Sequence, residues 1–333
     1  MTDLQTAPAS DGAQKKPKRR FSLGLDKYSG IYVWAVLVVI FALWIPDLFL
    51  SWDNVRTILT FQAISTIVAL GLIIPVAAGA FDLTIAGALT VSVCFTAWAL
   101  LSHKGVVVAV GGALLIGVII GLANALVVVK FKVDSFIGTL GMSSVLGAIA
   151  YMITDGGQLV LSEQGYYPFL DFARTEWLGI SAPVYYAGLI AVVIWWVLEY
   201  TPGGRYLYAV GGNPVAARLA GVKVARIITL SFIASAVVAS FAGVVLLAST
   251  ANASPDIGLG YLLPAFSAVF LGATQIRPGR VNVLGTIVAI LLLATGVTGL
   301  QLAGAPTYIT QLFNGAALIV AMALASRTAR RRS

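Results

Sequence analysis

Gly105 to Val129 reads G-V-V-V-A-V-G-G-A-L-L-I-G-V-I-I-G-L-A-N-A-L-V-V-V, a run without a single charge. A helix rises about 1.5 Å per residue, so a run of this length crosses a hydrocarbon core about 30 Å thick. His103 and Lys104 close it on one side, Lys130 and Lys132 on the other. Outward from it, comparable runs lie near 31–50, 54–78, 82–101, 135–153, 183–200, 227–249, 261–275, 281–301 and 307–325. The expected fold is all-α, a polytopic membrane bundle of about ten helices. Pro75, Gly79 and Pro264 interrupt their runs. Membrane helices tolerate such breaks where neighbours satisfy the freed backbone groups. The run at 261–275 is the shortest.

Composition agrees. Of 333 residues, 59% are hydrophobic and 10% charged, against about 45–50% and about 25% in soluble domains. A soluble core has no room for that much apolar surface. The net charge of +8 sits in runs beside apolar segments, as in Lys15, Lys16, Lys18, Arg19, Arg20 and in Arg327, Arg330, Arg331, Arg332. This placement points to anionic lipid rather than nucleic acid. The lone Cys94 allows no internal disulfide and no cysteine metal cluster, and the lone His103 sits in a turn beside Lys104. No metal site or catalytic set is expected. The expected organisation is a disordered basic cytoplasmic tail over 1–26 without a cleavable signal, a transmembrane domain over 27–326 and a basic cytoplasmic tail over 327–333.

Charge asymmetry orients the bundle. With both termini in the cytoplasm, all but Arg56, Lys104 and Arg174 of the 21 basic residues fall on the cytoplasmic side, as the positive-inside rule requires. Two loops are then long. The outer one, about 154–182, carries Tyr166, Tyr167 and Trp177, suited either to stacking on a solute or contacting a soluble protein, or to interfacial anchoring. The inner one, about 201–226, reads T-P-G-G-R-Y-L-Y-A-V-G-G-N-P-V-A-A-R-L-A-G-V-K-V-A-R. Pro202, Gly203 and Gly204 are expected to end the preceding span. Asn213 is a good N-cap and Pro214 a good first residue for a short helix over Val215–Leu219, which Gly221 stops. Such a helix either lies along its own bundle or docks a soluble partner.

That loop, from Gly204 to Val222, resembles the cytoplasmic coupling loop of ribose-type ABC importer permeases. Four further stretches resemble segments of the same family in order: G-A-F-D-L-T-I-A-G-A-L from Gly79, G-L-A-N-A-L-V-V-V with D-S-F-I-G-T-L-G ending at Gly141, T-D-G-G-Q-L-V from Thr154, and F-L-G-A-T-Q-I-R-P-G-R-V-N-V-L-G-T from Phe270. The sequence departs at Phe81, where isoleucine is usual, at Val215, where an acidic residue is usual, and at Arg277–Pro278, where small residues are usual. The resemblance implies a type II ABC importer permease fold in the bacterial inner membrane. It implies a separate ABC ATPase subunit carrying the ATP, a periplasmic solute-binding protein, and a second permease subunit, identical or sister. ATPase contact falls on Arg205, Gly211, Gly212, Asn213, Pro214, Ala216, Ala217, Arg218 and Gly221, with Ala217 the position where a bulky acidic residue is expected to uncouple. The chain itself has no G-x-x-x-x-G-K-[ST] loop to cradle phosphates and binds no cofactor in this reading.

Three polar residues fall in apolar runs. Asp82 is either the cap of the third span or part of the pathway. Asn124 and Thr139 either bond helix to helix or line the pathway. Gly117 and Gly121 give a small-xxx-small spacing that predicts close helix packing. The competing classes are an ion-coupled secondary transporter, which needs more buried ionisable residues, and an ABC permease for a nucleoside or branched-chain amino acid.

Overall fold

A computed structural model describes the backbone of residues 25–330, and side chains from 28 to 323 other than those of 163 and 164. In chain order the helices are α1 (Leu25–Trp44), α2 (Pro46–Phe49), α3 (Trp52–Ala77), α4 (Thr84–Leu101), α5 (Val106–Ala125) with a π-helical extension Leu126–Lys130, α6 (Ser135–Thr154), α7 (Glu163–Arg174), α8 (Ala182–Tyr200), α9 (Pro202–Gly212), α10 (Pro214–Leu219), α11 (Val224–Thr250), α12 (Leu259–Gly272), α13 (Val283–Leu302) and α14 (Ile309–Arg330). Among the described residues, seven helices are long and apolar enough to cross a membrane: α3, α4, α5 with its extension, α6, α8, α11 and α13. Shorter apolar helices at Tyr28–Trp44, Leu259–Gly272 and Ile309–Ala323 occupy the expected first, eighth and tenth positions. Residues 1–24 and 331–333, and with them most of the N-terminal tail and the end of the C-terminal one, lie outside the described residues.

Two boundaries differ from the sequence reading. The first run is cut at Ile45, because Pro46 lacks an N–H and starts the short α2 instead. Pro202, Gly203 and Gly204 both follow the end of α8 and open α9, whose N-cap Thr201 accepts from the Gly204 N–H. The outer loop also holds structure that an apolarity scan passes over. The 12-residue α7 contains Pro168 and buries Phe169, Leu170 and Ala173, too short and too polar to register as a span. Beside it, Leu159–Val160 pairs antiparallel with Asn252–Ala253, and Glu176–Trp177 with Ile180–Ser181.

The core forms where α4 is enclosed by α5, α6 and α11, with α3 also packed on α11. Small residues allow this. A Cβ on Gly121 would lie 2.4 Å from the Ile233 Cα, and one on Gly117 2.9 Å from the Ala236 carbonyl, so α5 and α11 touch backbone to backbone. Dispersion between close helices drives such packing in lipid, where no hydrophobic effect operates. Cys94 is fully buried among these apolar neighbours.

The segments that the charge map separates fall at opposite ends of the bundle. At one end Gly211 packs on Ala77 and Gly79, and Arg277 and Arg280 pair with Glu199. At the other, Arg56 pairs with Glu176, Tyr151 donates to Asp256 at 2.6 Å and Tyr166 to the Leu100 carbonyl at 3.2 Å. Trp177 packs on Tyr185, with ring centroids 5.3 Å apart.

Gly121→Val is expected to force α5 off α11, costing about 1–3 kcal/mol or more. Gly111→Val, on the open face of the same helix, is expected to be tolerated. Thermal unfolding of the two variants in detergent checks this; equal stability contradicts the packing described.

Candidate coupling site

The chain between α3 and α4 is not helical, and in lipid each of its polar groups needs a protein partner. The N–H groups of Ala78, Gly79 and Ala80 return to the last carbonyls of α3. Gly79 takes φ +78 to do so. Beyond it, side chains take over. The Phe81 N–H donates to Ser135 Oγ at 3.0 Å, Leu83 N–H to Thr139 Oγ1 at 3.1 Å, and Thr84 N–H to Asp82 Oδ1 at 3.1 Å. Thr84 Oγ1 donates to the same Asp82 oxygen at 2.5 Å and accepts from Asn124 Nδ2 at 2.7 Å. The structure therefore brings Asp82, Asn124 and Thr139 together around one break, each fully or almost fully buried. Asp82 serves the first turn of α4, while Thr139 ties α6 to the segment before it.

The knot is incompletely satisfied. Asp82 Oδ2, Asn124 Oδ1 and Ser235 Oγ have no hydrogen-bond partner, although Ser235 on α11 lies close enough to influence the Asp82 carboxyl. A buried polar atom left without a partner costs about 1–3 kcal/mol; Ser92, Ser240 and Gln275 each leave one such atom elsewhere in the fold.

The inner loop folds directly onto the break. A Cβ on Gly211 would lie 2.2 Å from the Ala77 carbonyl and 3.0 Å from the Gly79 nitrogen, so the end of α9 touches the end of α3 and only glycine fits. Asn213 then caps α10, its Oδ1 accepting from Val215 and Ala216 N–H at 3.0 Å each. Gly221 ends the unit at φ +84. Gly212, Asn213, Pro214 and Ala216 are exposed, as are Arg205 and Arg218.

Ala217 is placed differently from the expectation that it faces a partner. It is buried, against Val210 and Val224. The face turned outward carries Val215 and Leu219, 65% and 85% exposed. A two-turn helix has one buried side, and here α9 and α11 claim the one holding Ala217.

A second set of contacts escaped the sequence reading. Glu199, in the last turn of α8, pairs with Arg277 and accepts from Arg280 Nη2 at 2.6 Å. The Arg280 guanidinium lies 4.0 Å from the centroid of the Tyr208 ring, and the Tyr208 hydroxyl donates to the Val281 carbonyl at 2.9 Å. Burial pushes the Tyr208 phenol above its ordinary pKa, keeping it a neutral donor. An acid in the last turn of a helix opposes the helix dipole, so only the two arginines make Glu199 favourable there. The unusual Arg277–Pro278 was the available signal. The 273–282 loop is itself cross-tied: Asn282 Nδ2 donates to the Gly272 and Gln275 carbonyls, and Gln275 Nε2 to the Gly285 carbonyl.

Among the described residues no group of three metal-ligating side chains occurs. What the geometry defines is a polytopic membrane-type helical bundle, with a non-helical interior segment between α3 and α4 and a loop packed on that segment from one end. Residues 54–322 match the family described as branched-chain amino acid transport system / permease component, and the chain belongs to that family. It is similar to the ribose import permease protein RbsC of Escherichia coli K12, 30% identical over 86% of this chain and 89% of the relative. It is also similar to the L-arabinose ABC transporter permease protein AraH of Azospirillum brasilense, 29% identical over 97% and 94%. The D-allose transport system permease protein AlsC of Escherichia coli K12 is 29% identical over 96% and 97%. No solved structure matches the chain. The protein is a permease component of the ABC importer type.

Thr139→Val is expected to orphan the half-buried Leu83 N–H and cost about 1–3 kcal/mol, whereas Thr139→Ser retains the acceptor and most of the stability. Chemical unfolding of both variants in detergent measures the difference; a neutral Thr139→Val would remove the proposed tie.

Proposed function

We propose that the chain forms half of the membrane pathway of an importer for a sugar or sugar-like solute. A periplasmic binding protein delivers the solute. A second permease chain, identical or sister, completes the pathway. A separate ABC ATPase binds and hydrolyses the ATP. Both termini and the α9–α10 loop face the cytoplasm. The solute class follows the relatives' names, which specify ribose, L-arabinose and D-allose. The positions of Lys130, Lys132, Arg205, Arg218, Lys223 and Arg226 support the orientation under the positive-inside rule.

The observation that carries this reading is α10, a short helix capped by Asn213 with Val215 and Leu219 exposed. Its route into the bundle is direct, through Gly211 on Ala77 and Gly79. When the ATPase pair closes, α10 is displaced and α9 presses the α3–α4 break. The break holds the unpartnered oxygens of Asp82 and Asn124, and a second arrangement that pairs them is correspondingly accessible. Displacement of α4 against α6 and α11 then changes which side the pathway opens to, a rigid-body form of alternating access. The exposed apolar face of α6, with Ile137, Leu140 and Val145, suits the contact with the second permease. Arg205 and Arg218 remain contacts to the ATPase.

Val215→Glu with Leu219→Glu is expected to reduce co-purification of the ATPase subunit tenfold or more and to abolish uptake, with the permease still folded in the membrane. Undiminished co-purification contradicts the docking role, and solute uptake by reconstituted wild type without nucleotide contradicts the ATP-driven reading. Ala217→Glu instead acts by breaking the Val210–Val224 packing, visible as loss of thermal stability. Glu199→Gln frees Arg280 and is expected to lower the solute moved per ATP hydrolysed. An unchanged ratio in reconstituted vesicles would show that the Glu199 contacts do not transmit the stroke.

A further inference from the structure

A cavity of about 580 Å³ lies between α8 and α11, which both rest on α3 and α9. Its walls are Val193 and Val197 of α8 and Leu230, Ala234 and Val237 of α11, and Leu207 of α9 closes one end. The one polar side chain on it, Ser231, turns its hydroxyl back to the Ile228 carbonyl at 2.7 Å. Along α11 the lining runs from Ile227 to Val238, about 16 Å at 1.5 Å per residue. That is the depth of one leaflet of a hydrocarbon core about 30 Å thick. Trp196 and Tyr200, 57% and 62% exposed at the same end of α8, are the residue types that mark the lipid–water interface.

Charge decides what fills this slot. Arg226 lies one turn before Leu230 on the face of α11 that lines it, since residues four apart share a helix face, and Lys223 caps the start of the same helix. Both are exposed, and neither has an ion pair among the described residues. The nearby acid on α8, Glu199, is already held by Arg277 and Arg280. Two cations at the start of a helix oppose its dipole, and an anion there relieves both. We infer that the slot between α8 and α11 holds one acyl chain of an anionic phospholipid, with its headgroup phosphate on Lys223 and Arg226. The lipid wedges α8 apart from α11 and supports α9 from beneath through Leu207. A neutral or zwitterionic lipid fills the same slot without the charge match.

The test uses the purified full chain, delipidated and then exposed to phosphatidylglycerol or phosphatidylcholine with identical acyl chains, with bound lipid read by native mass spectrometry. Wild type is expected to retain phosphatidylglycerol about tenfold more strongly, one molecule per chain beyond any diffuse shell. Lys223→Gln with Arg226→Gln is expected to remove that preference while leaving phosphatidylcholine retention as it was. Ala234→Phe fills the slot and is expected to lose the retained lipid with both surface cations intact, and Arg226→Lys to keep it. Equal retention of the two lipids by wild type, or an undiminished preference in the double variant, overturns the assignment. The outcome is independent of the ATPase, so it stands or falls apart from the import reading.

Discussion

Lipid supplies no hydrogen bonds, so the non-helical chain between α3 and α4 exists only because the protein satisfies it from within. Ser135 and Thr139 reach in from α6, and Asp82 turns back on α4 with Thr84 and Asn124 behind it. The rest of the transport geometry depends on this arrangement. It interrupts the passage from α3 to α4, fixes α6 against the break, and leaves a surface at Ala77–Gly79 into which only a glycine backbone fits.

That surface is where Gly211 rests, so a loop at one end of the bundle meets the backbone at the end of α3 directly, three residues before Asp82. Backbone-to-backbone contact is stiff, because neither partner has a rotamer to absorb a displacement. The Glu199–Arg280–Tyr208 contacts join the same loop to the segment between α12 and α13. One element thereby touches both halves of the bundle. The segment it presses leads into a buried polar cluster where Asn124 Oδ1 lacks a partner, which is where a two-state element belongs if small shifts are to become large ones.

Much of this was legible in the sequence, for reasons that differ by residue. A charge-free run such as 105–129 announces a lipid-facing helix through composition alone, and α5 follows it closely. Asn213–Pro214 announced α10 because a cap is a local device, settled by neighbours two and three residues away. Gly117 and Gly121 announced close packing because glycine in an apolar helix has few other uses. The side of α10 that is buried was not legible: Val210 and Val224 decide it, and six residues carry too few turns to show a face. Glu199 gave no sign of its partners because Arg277 and Arg280 lie 78 and 81 residues away. The amphipathic α7, cut by Pro168, lacks both the length and the apolarity that reveal a span. That Asp82, Asn124 and Thr139 meet at one point is a tertiary fact, although each was visible separately as a polar residue in an apolar run.

Everything functional assumes that α10 is a handle presented to the cytoplasm. The chain has one cysteine, Cys94, and it is buried in the core, so a Cys94→Ala background with Leu219→Cys gives a single reporter at the exposed end of α10. A membrane-impermeant maleimide is predicted to label it in inside-out vesicles and to leave it untouched in right-side-out vesicles. Labelling in right-side-out vesicles would place the loop in the periplasm and contradict the account at its base.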